Sequence, residues 1–163
     1  MSVLDSIKEK AKADVKHILL PEGSEERTVQ AARIITDEKI AKVTLLGDEE
    51  EIKKVAEKFN VCLCGIDIIN PLTDPDFEHY ANGFYELRKA KGMTPEKAAE
   101  MVKDPMYYGI LMVKAGDADG LVSGAIHSTA DMLRPALQVI KSKPGIKTVS
   151  SCFLMECPNK AYG

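Results

Sequence analysis

Apolar residues change their spacing repeatedly along this chain, and each change marks an element. Val3, Leu4, Ile7 and Ala11 recur at helical spacing, and Ser2 with Asp5 has the form of a capping box, which predicts a helix over 3–15. His17-Ile18-Leu19-Leu20 is a short apolar run closed by Pro21-Glu22-Gly23, a strand followed by a turn. Ser24 is placed to cap a helix over 25–38 whose apolar face carries Ala31, Ala32, Ile34 and Ile35. Ala41–Leu46 is a second strand ended by Gly47. Asp48 and Glu51 then form another box ahead of a helix with Ile52, Val55, Ala56 and Phe59 on one side. Gly65–Ile69 is a third strand ended by Asn70-Pro71. The resulting β-α-β-α-β order argues for a parallel sheet covered by helices.

A helix over 76–91 follows, with Phe77, Tyr80, Ala81, Phe84 and Leu87 as its apolar stripe. Arg88 falls near the middle of that stripe. A guanidinium on a buried face is costly unless it meets an anion, so Arg88 either pairs in the core or belongs to an anion site. Gly92 ends the helix. Thr94-Pro95 and Asp104-Pro105 each start another, by a capping side chain and a proline at the first helical position. The segment 105–114 is apolar nearly all round, which predicts a helix buried on two sides, its Met and Tyr residues filling core. After Gly116 come a strand at Leu121-Val122, a loop, a helix to about Lys141, a Pro144-Gly145 turn and an apolar strand Thr148–Met155. The tail Pro158–Gly163 reads as turn. No helix follows the last strand to cover it, so that strand is expected at an edge or in a chain cut short.

Composition narrows the function classes. The 163 residues suffice for one ordinary domain, and 45% hydrophobic with 29% charged content is that of a soluble globular protein. A net charge of −3 gives no support for nucleic-acid binding. No apolar run approaches the ~20 residues that span a bilayer, and the N-terminal stretch, acidic from Asp5, is not a signal peptide. A cytoplasmic location without membrane association is therefore expected. Cys62, Cys64, Cys152 and Cys157 match no zinc spacing, and His17, His79 and His127 are scattered, so free thiols and no metal site are expected.

The chemistry concentrates in Asp117–Gln138, DADGLVSGAIHSTADMLRPALQ. A strand, a loop of small and hydroxyl residues and a helix start leave backbone N–H groups free to hold an anion. Gly124 and Ala125 allow close approach to the backbone, and Ser123, Ser128 and Thr129 offer hydroxyls. Either Ser128 or Thr129 can cap the helix, with Asp131 as capping partner or arginine orienter. Arg134 lies one turn further and can lean back over the helix start, its planar fork suited to phosphate. Pro135 is expected to kink the helix or mark its regular start. His127 is expected to hold a backbone carbonyl, because no carboxylate that could orient it for catalysis is identifiable. The P-loop, dinucleotide and nucleophile-elbow motifs are all absent. Residue by residue, an anion site and an ordinary capped helix both remain open.

The run GDADGLVSGAIHSTADMLRPALQVIKSKPGIKTVSSCFLM, with ILLPEGSEERT before it and FYELRKAKGMT between them, resembles the bacterial phosphate acetyltransferases (phosphotransacetylases) over essentially the whole chain. That resemblance implies a three-layer α/β/α fold with a mainly parallel sheet, of the isocitrate/isopropylmalate dehydrogenase type. The implied active site is a cleft between two domains. The implied reaction is acetyl-CoA + phosphate ⇌ acetyl phosphate + CoA, by direct acyl transfer with coenzyme A as substrate and no cofactor or metal. Arg88 and Arg134 are the implied catalytic residues, with Ser123, Gly124, His127, Ser128 and Thr129 at the phosphate end of the cleft.

Related phosphate butyryltransferases share parts of the pattern, and a non-catalytic acetyl-CoA-sensing module is a further alternative. Chains of this family continue past the Cys-Pro-Asn-Lys-Ala-Tyr-Gly at the end of this sequence. Residues 1–145 are therefore expected to form an N-terminal α/β domain and 146–163 the start of a second, truncated one. The fragment alone is expected to be inactive, and a homodimer is expected at full length.

Overall fold

Four of the five apolar runs expected as strands meet in one sheet. A computed structural model of the protein describes residues 2–155 and residue 157. Four strands, β1 (Lys16–Leu20), β2 (Ala41–Leu46), β3 (Asp67–Ile69) and β4 (Gly120–Leu121), lie in the order β3-β2-β1-β4. Every pairing is parallel: Ile18 faces Val43 on one side of β1 and Gly120 on the other, and Leu45 faces Ile68 across β2 and β3.

Seven helices accompany the sheet among the described residues: α1 (Val3–Ala13), α2 (Glu26–Asp37), α3 (Glu49–Lys58), α4 (Phe77–Arg88), α5 (Pro95–Val102), α6 (Pro105–Ala115) and α7 (Thr129–Val139). One 3₁₀ turn, Lys89–Lys91, extends α4 to Gly92, whose φ of +81° ends it. Most of the predicted starts hold. Ser2 and Asp5 form a reciprocal capping box, and Asp48, Thr94, Asp104 and Ser128 each accept backbone N–H bonds at their helix N-termini.

Alternation along the strands divides the core. Leu20, Val43 and Leu45 meet Val29 and Ala32 of α2 and Ile52 and Ala56 of α3 on one face. Leu19 and Leu46 meet α4, α5, α6 and α7 on the other. Helices thus cover both faces, the expected three-layer arrangement, and explain why β2 is buried on both sides from Val43 to Leu46. Helix α6 is buried along both sides, through Met106, Tyr108, Ile110, Leu111 and Met112. It closes directly onto the sheet at Gly109, where an added Cβ would come within 2.7 Å of side-chain atoms of both Leu121 and Leu46.

The topology selects one location. The chain moves outward from β1 through β2 to β3, then returns across the sheet to place β4 on the other side of β1. In parallel sheets a crevice opens where the order reverses, beyond the carboxyl ends of the two strands. Here those ends lead into Pro21-Glu22-Gly23 and into the loop 122–127.

Several expectations are corrected. The cap of α2 is Glu25, not Ser24; its longer side chain reaches the Thr28 amide at 2.9 Å and is held by Arg27. Ile34 is exposed, the inward positions being Val29 and Ala32; Leu87 lies at the rim of the α4 stripe, 36% exposed; Phe59 sits just past α3 as its C-cap. Val3, Leu4 and Ile7 of α1 are also exposed. Pro135 lies inside α7, which already begins at Thr129. Residues 148–155 form no strand: they are exposed and have no neighbouring strand among the described residues, and without a partner β-forming side chains make no ladder. The Pro144-Gly145 turn is present, with Gly145 at φ +84° and the Ile146 amide donating to the Lys143 carbonyl at 3.0 Å. The predicted turn Pro158–Gly163 lies outside the described residues.

Cys62 and Cys64 are paired as a disulfide, correcting the expectation of four free thiols; Cys152 and Cys157 are free. Cys62 and Cys64 are separated by one residue, and their Cα atoms are 5.5 Å apart, within the range a disulfide spans.

Candidate active site

The amides of the loop after β4 are not vacant. Glu22, in the turn after β1, is 6% exposed, and with Thr44 it makes up the buried polar residues among those described. Its Oε2 accepts from the amides of Gly124 and Ala125 at 3.0 and 2.9 Å. Its Oε1 accepts from the amides of Ile126 and His127, both at 2.8 Å, and lies 2.8 Å from His127 Nδ1. Successive N–H groups turned to one side make an anion-binding concavity. Gly124 contributes by its φ of +121°, which residues with a Cβ rarely adopt. The loop is therefore the predicted anion binder, but the anion along 124–127 is the protein's own carboxylate.

Burial alone would push the Glu22 carboxyl up. The amides of Ile126, His127 and Ala125 and the His127 ring outweigh it, and the group is held down at about 2. It is ionised at neutral pH. His127 therefore has the carboxylate partner that the sequence reading lacked, in place of the expected backbone carbonyl. A second tie comes from α2: Arg27 Nη2 donates to the Ala125 carbonyl at 2.7 Å while its Nε holds Glu25 at 2.6 Å.

The remaining predicted residues divide between two sides of this loop. Ser123 opens toward α2: with Leu20, Glu22, Thr28, Ala31 and Val122 it lines a cavity of about 260 Å³, and its Oγ is buried without a hydrogen-bond partner. Ser128 caps α7. Its Oγ accepts from the Asp131 amide at 3.3 Å and donates to Asp131 Oδ2 at 2.6 Å, a bond that leads the downward shift of that carboxyl, with Arg134 and His127 adding to it. Thr129 is the first residue of α7, whose opening amides have no intrahelical acceptor.

Arg134 is exposed on α7. Arg88 ends α4 half-buried, and its Nε is buried with no partner in the protein. The two approach a common neighbour. Burial pushes the Tyr107 hydroxyl up, while Arg134 and Arg88 both act the other way, so both guanidinium groups are within electrostatic range of one phenol on α6. Tyr107 is steadied by its hydroxyl bond to Gln138 Oε1 at 3.2 Å. Together, α4 and α7 carry two cations that act on one phenol of α6, and α7 opens with a helix N-terminus directly after the loop 122–127. An anionic oxygen-rich ligand suits that arrangement.

The family model for phosphate acetyl/butaryl transferase matches residues 2–163. The chain belongs to that family. Over its 163 residues it is 55% identical to a phosphate acetyltransferase of Thermoanaerobacterium thermosaccharolyticum and 53% identical to one of Acetivibrio thermocellus. All of the chain is covered in each case, against 49% and 48% of those relatives, so it spans about half their length. Among solved structures, a phosphotransacetylase from Streptococcus pyogenes superposes with TM-score 0.84 at 42% identity, over 91% of this chain and 46% of that one. The EutD phosphotransacetylase from Staphylococcus aureus gives 0.82 at 41%, over 89% and 44%.

Glu22 and Arg27 were missed from the sequence of this transferase-family chain. The signal for Glu22 was a carboxylate between Pro21 and Gly23 immediately after an apolar strand, read only as a turn. Gly23 is needed there, since a Cβ would stand 2.5 Å from the Leu46 carbonyl oxygen. Among the described residues no group of three His, Cys, Asp or Glu side chains is arranged to hold a metal, and no helix is long and apolar enough to cross a membrane.

Proposed function

We propose that this chain supplies the phosphate side of an acyltransferase that interconverts acetyl-CoA and phosphate with acetyl phosphate and coenzyme A. The observation that carries the reading is the buried, partnerless Nε of Arg88, whose guanidinium acts with that of Arg134 on the Tyr107 hydroxyl. In the acetyl-CoA-forming direction the thiolate sulfur of coenzyme A attacks the carbonyl carbon of acetyl phosphate. The C–O bond breaks and phosphate leaves with its electron pair. Arg88, Arg134 and the first amides of α7, with the Ser128 and Thr129 hydroxyls, would hold that growing charge. Ser123, Gly124 and His127 would shape the loop beside it. Preorganised donors of this kind are worth ~10²–10³ in rate each. Coenzyme A is a substrate here, and no cofactor or metal is assigned.

Residues 1–145 then form one α/β unit of the isocitrate/isopropylmalate dehydrogenase type, and 146–163 begin a second. The exposed apolar side chains of Ile146, Val149, Phe153, Leu154 and Met155 support a further surface to be covered. A cytoplasmic homodimer at the relatives' full length completes the proposal. The family description spans acetyl and butyryl transfer, so a butyryl preference is the second reading.

The test is a transfer assay on a protein of the relatives' length carrying this sequence, with acetyl-, propionyl- and butyryl-CoA. Acetyl-CoA is expected to be best, and Arg134→Gln is expected to lower turnover and raise the KM for phosphate. Preference for butyryl-CoA selects the second reading. Binding of acetyl-CoA without turnover selects a sensing module, and unchanged kinetics of Arg134→Gln removes the site assignment. The 163-residue chain alone is expected to have negligible activity.

A further inference from the structure

The Glu22–His127 pair has no task in the reading above beyond shaping a loop. Glu22 is an ionised carboxylate and can only accept, so the ring nitrogen facing it at 2.8 Å, Nδ1, carries the proton. In the neutral ring Nε2 is then the acceptor. The His127 side chain is 28% exposed against 3% for Glu22, and no hydrogen bond engages Nε2 among the described residues. His127 directly precedes the α7 cap, Ser128, so its open edge belongs to the end of the helix where phosphate is proposed to sit. The charged groups around it are Glu22 and Arg27 from the β1–α2 side and Asp131 and Arg134 from α7.

We infer that His127, oriented by Glu22, accepts the proton of hydrogen phosphate during acyl transfer and returns it in the reverse direction. This rests on the acyl-transfer reading. In acetyl phosphate formation an oxygen of HPO₄²⁻ attacks the thioester carbonyl; the C–O bond forms, the C–S bond breaks, and the electron pair leaves on sulfur. Acylation makes the remaining P–OH more acidic. Its proton passes to Nε2 and from there to the thiolate, so that acetyl phosphate dianion and CoA–SH are the products. Glu22 is the positioning residue: it fixes the tautomer, and its four amide bonds fix the backbone that carries the ring.

His127→Asn is the discriminating variant. The Asn amide nitrogen falls near the Nδ1 position, so the bond to Glu22 and the loop are retained while Nε2 is removed. In the full-length protein, kcat for acetyl phosphate formation is expected to fall ~10²–10⁴-fold with the phosphate KM within about threefold, and the acidic limb of the kcat–pH profile is expected to vanish. A kcat within about threefold of the parent, with that limb retained, overturns the inference and leaves the acyl-transfer reading standing. An inactive parent overturns both. Should the Asn variant lose amide protection at Gly124–His127, rescue of His127→Ala by added imidazole decides: at least about tenfold recovery supports proton transfer at this position, and no recovery refutes it.

Discussion

Glu22→Gln tests whether an internal carboxylate organises this loop. The Glu22 carboxyl stands at about 2 against an ordinary 4.5, so its ionised form is held in the folded protein by about 3 kcal/mol at ~1.4 kcal/mol per pH unit. Because the folded value lies below the unfolded one, that stabilisation is complete above about 4.5 and is lost as pH falls through about 2. Glutamine removes it at every pH. Its one oxygen serves best where Oε1 meets three donors, which turns the NH₂ toward the amides of Gly124 and Ala125 and leaves both without an acceptor. Two stranded donors in these part-buried bonds cost at most ~1–3 kcal/mol each, which is consistent with the same figure. The loop can open without unfolding the domain, so the assay is amide hydrogen exchange rather than global melting. Protection of Gly124 and Ala125 at neutral pH is expected to drop ~10²-fold in Glu22→Gln, at ~1.4 kcal/mol per factor of ten. The gap between variant and parent is expected to narrow on acidification toward about 2. Protection within about threefold of the parent, or a gap indifferent to acid, refutes the argument.

Arg88→Leu removes a guanidinium whose Nε has no protein partner. Urea stability of the chain is expected to stay within ~1 kcal/mol while full-length turnover falls ~10²–10³-fold; a collapsed fold whose surviving fraction keeps full specific activity makes Arg88 a structural residue. Ser128→Ala deletes the α7 cap and is expected to cost ~1 kcal/mol, read by urea unfolding followed by circular dichroism. Gly109→Ala gains ~1 kcal/mol of helix propensity but drives a methyl to 2.6 Å from Leu121 and 2.7 Å from Leu46, side-chain ends that can yield in part. Gly23→Ala meets the Leu46 carbonyl oxygen at 2.5 Å, a backbone atom that cannot rotate away, and is expected to be the more destabilising of the two in the same urea assay.

Elements whose identity depends on neighbours in sequence were legible. Ser2, Asp48, Thr94, Asp104 and Ser128 bond to amides two or three residues ahead, so their roles as caps could be read locally. Strands β1 and β2 were legible because burial on both faces makes their ends, Ile18–Leu20 and Val43–Leu46, mostly apolar, and α6 because burial on two sides does the same to a helix. Segment 148–155 shows the limit. Its β-forming residues suit a strand, but a strand is a relation between two chain segments, and no described residue offers the partner. The Cys62–Cys64 bond is illegible for a different reason: a C-x-C spacing fits free thiols as well as a bond, and only the fold of the turn at Cys64-Gly65 brings the two Cα atoms to 5.5 Å.

The candidate site was legible only in its separate parts. Arg88 and Arg134 could each be singled out from helical spacing, but their common neighbour Tyr107 lies on a third helix, and only folding brings the three together. The loop 124–127 reads in the sequence as a site for a phosphoryl group, and in the structure its amides hold the Glu22 carboxylate. What local reading could not supply was the occupant, about a hundred residues away in sequence and adjacent only because β4 returns to the side of β1 opposite β2. Glu22 changes the meaning of the motif. A loop whose amides were vacant would bind phosphate through them and order itself on binding. In the proposed reading, a loop already ordered on a carboxylate leaves phosphate to Arg88, Arg134 and the first turn of α7, and the Glu22 bond gives the neighbouring imidazole a defined tautomer. The ordering cost has then been met by folding rather than by the ligand, which is the condition under which fixed donors contribute most to a transition state.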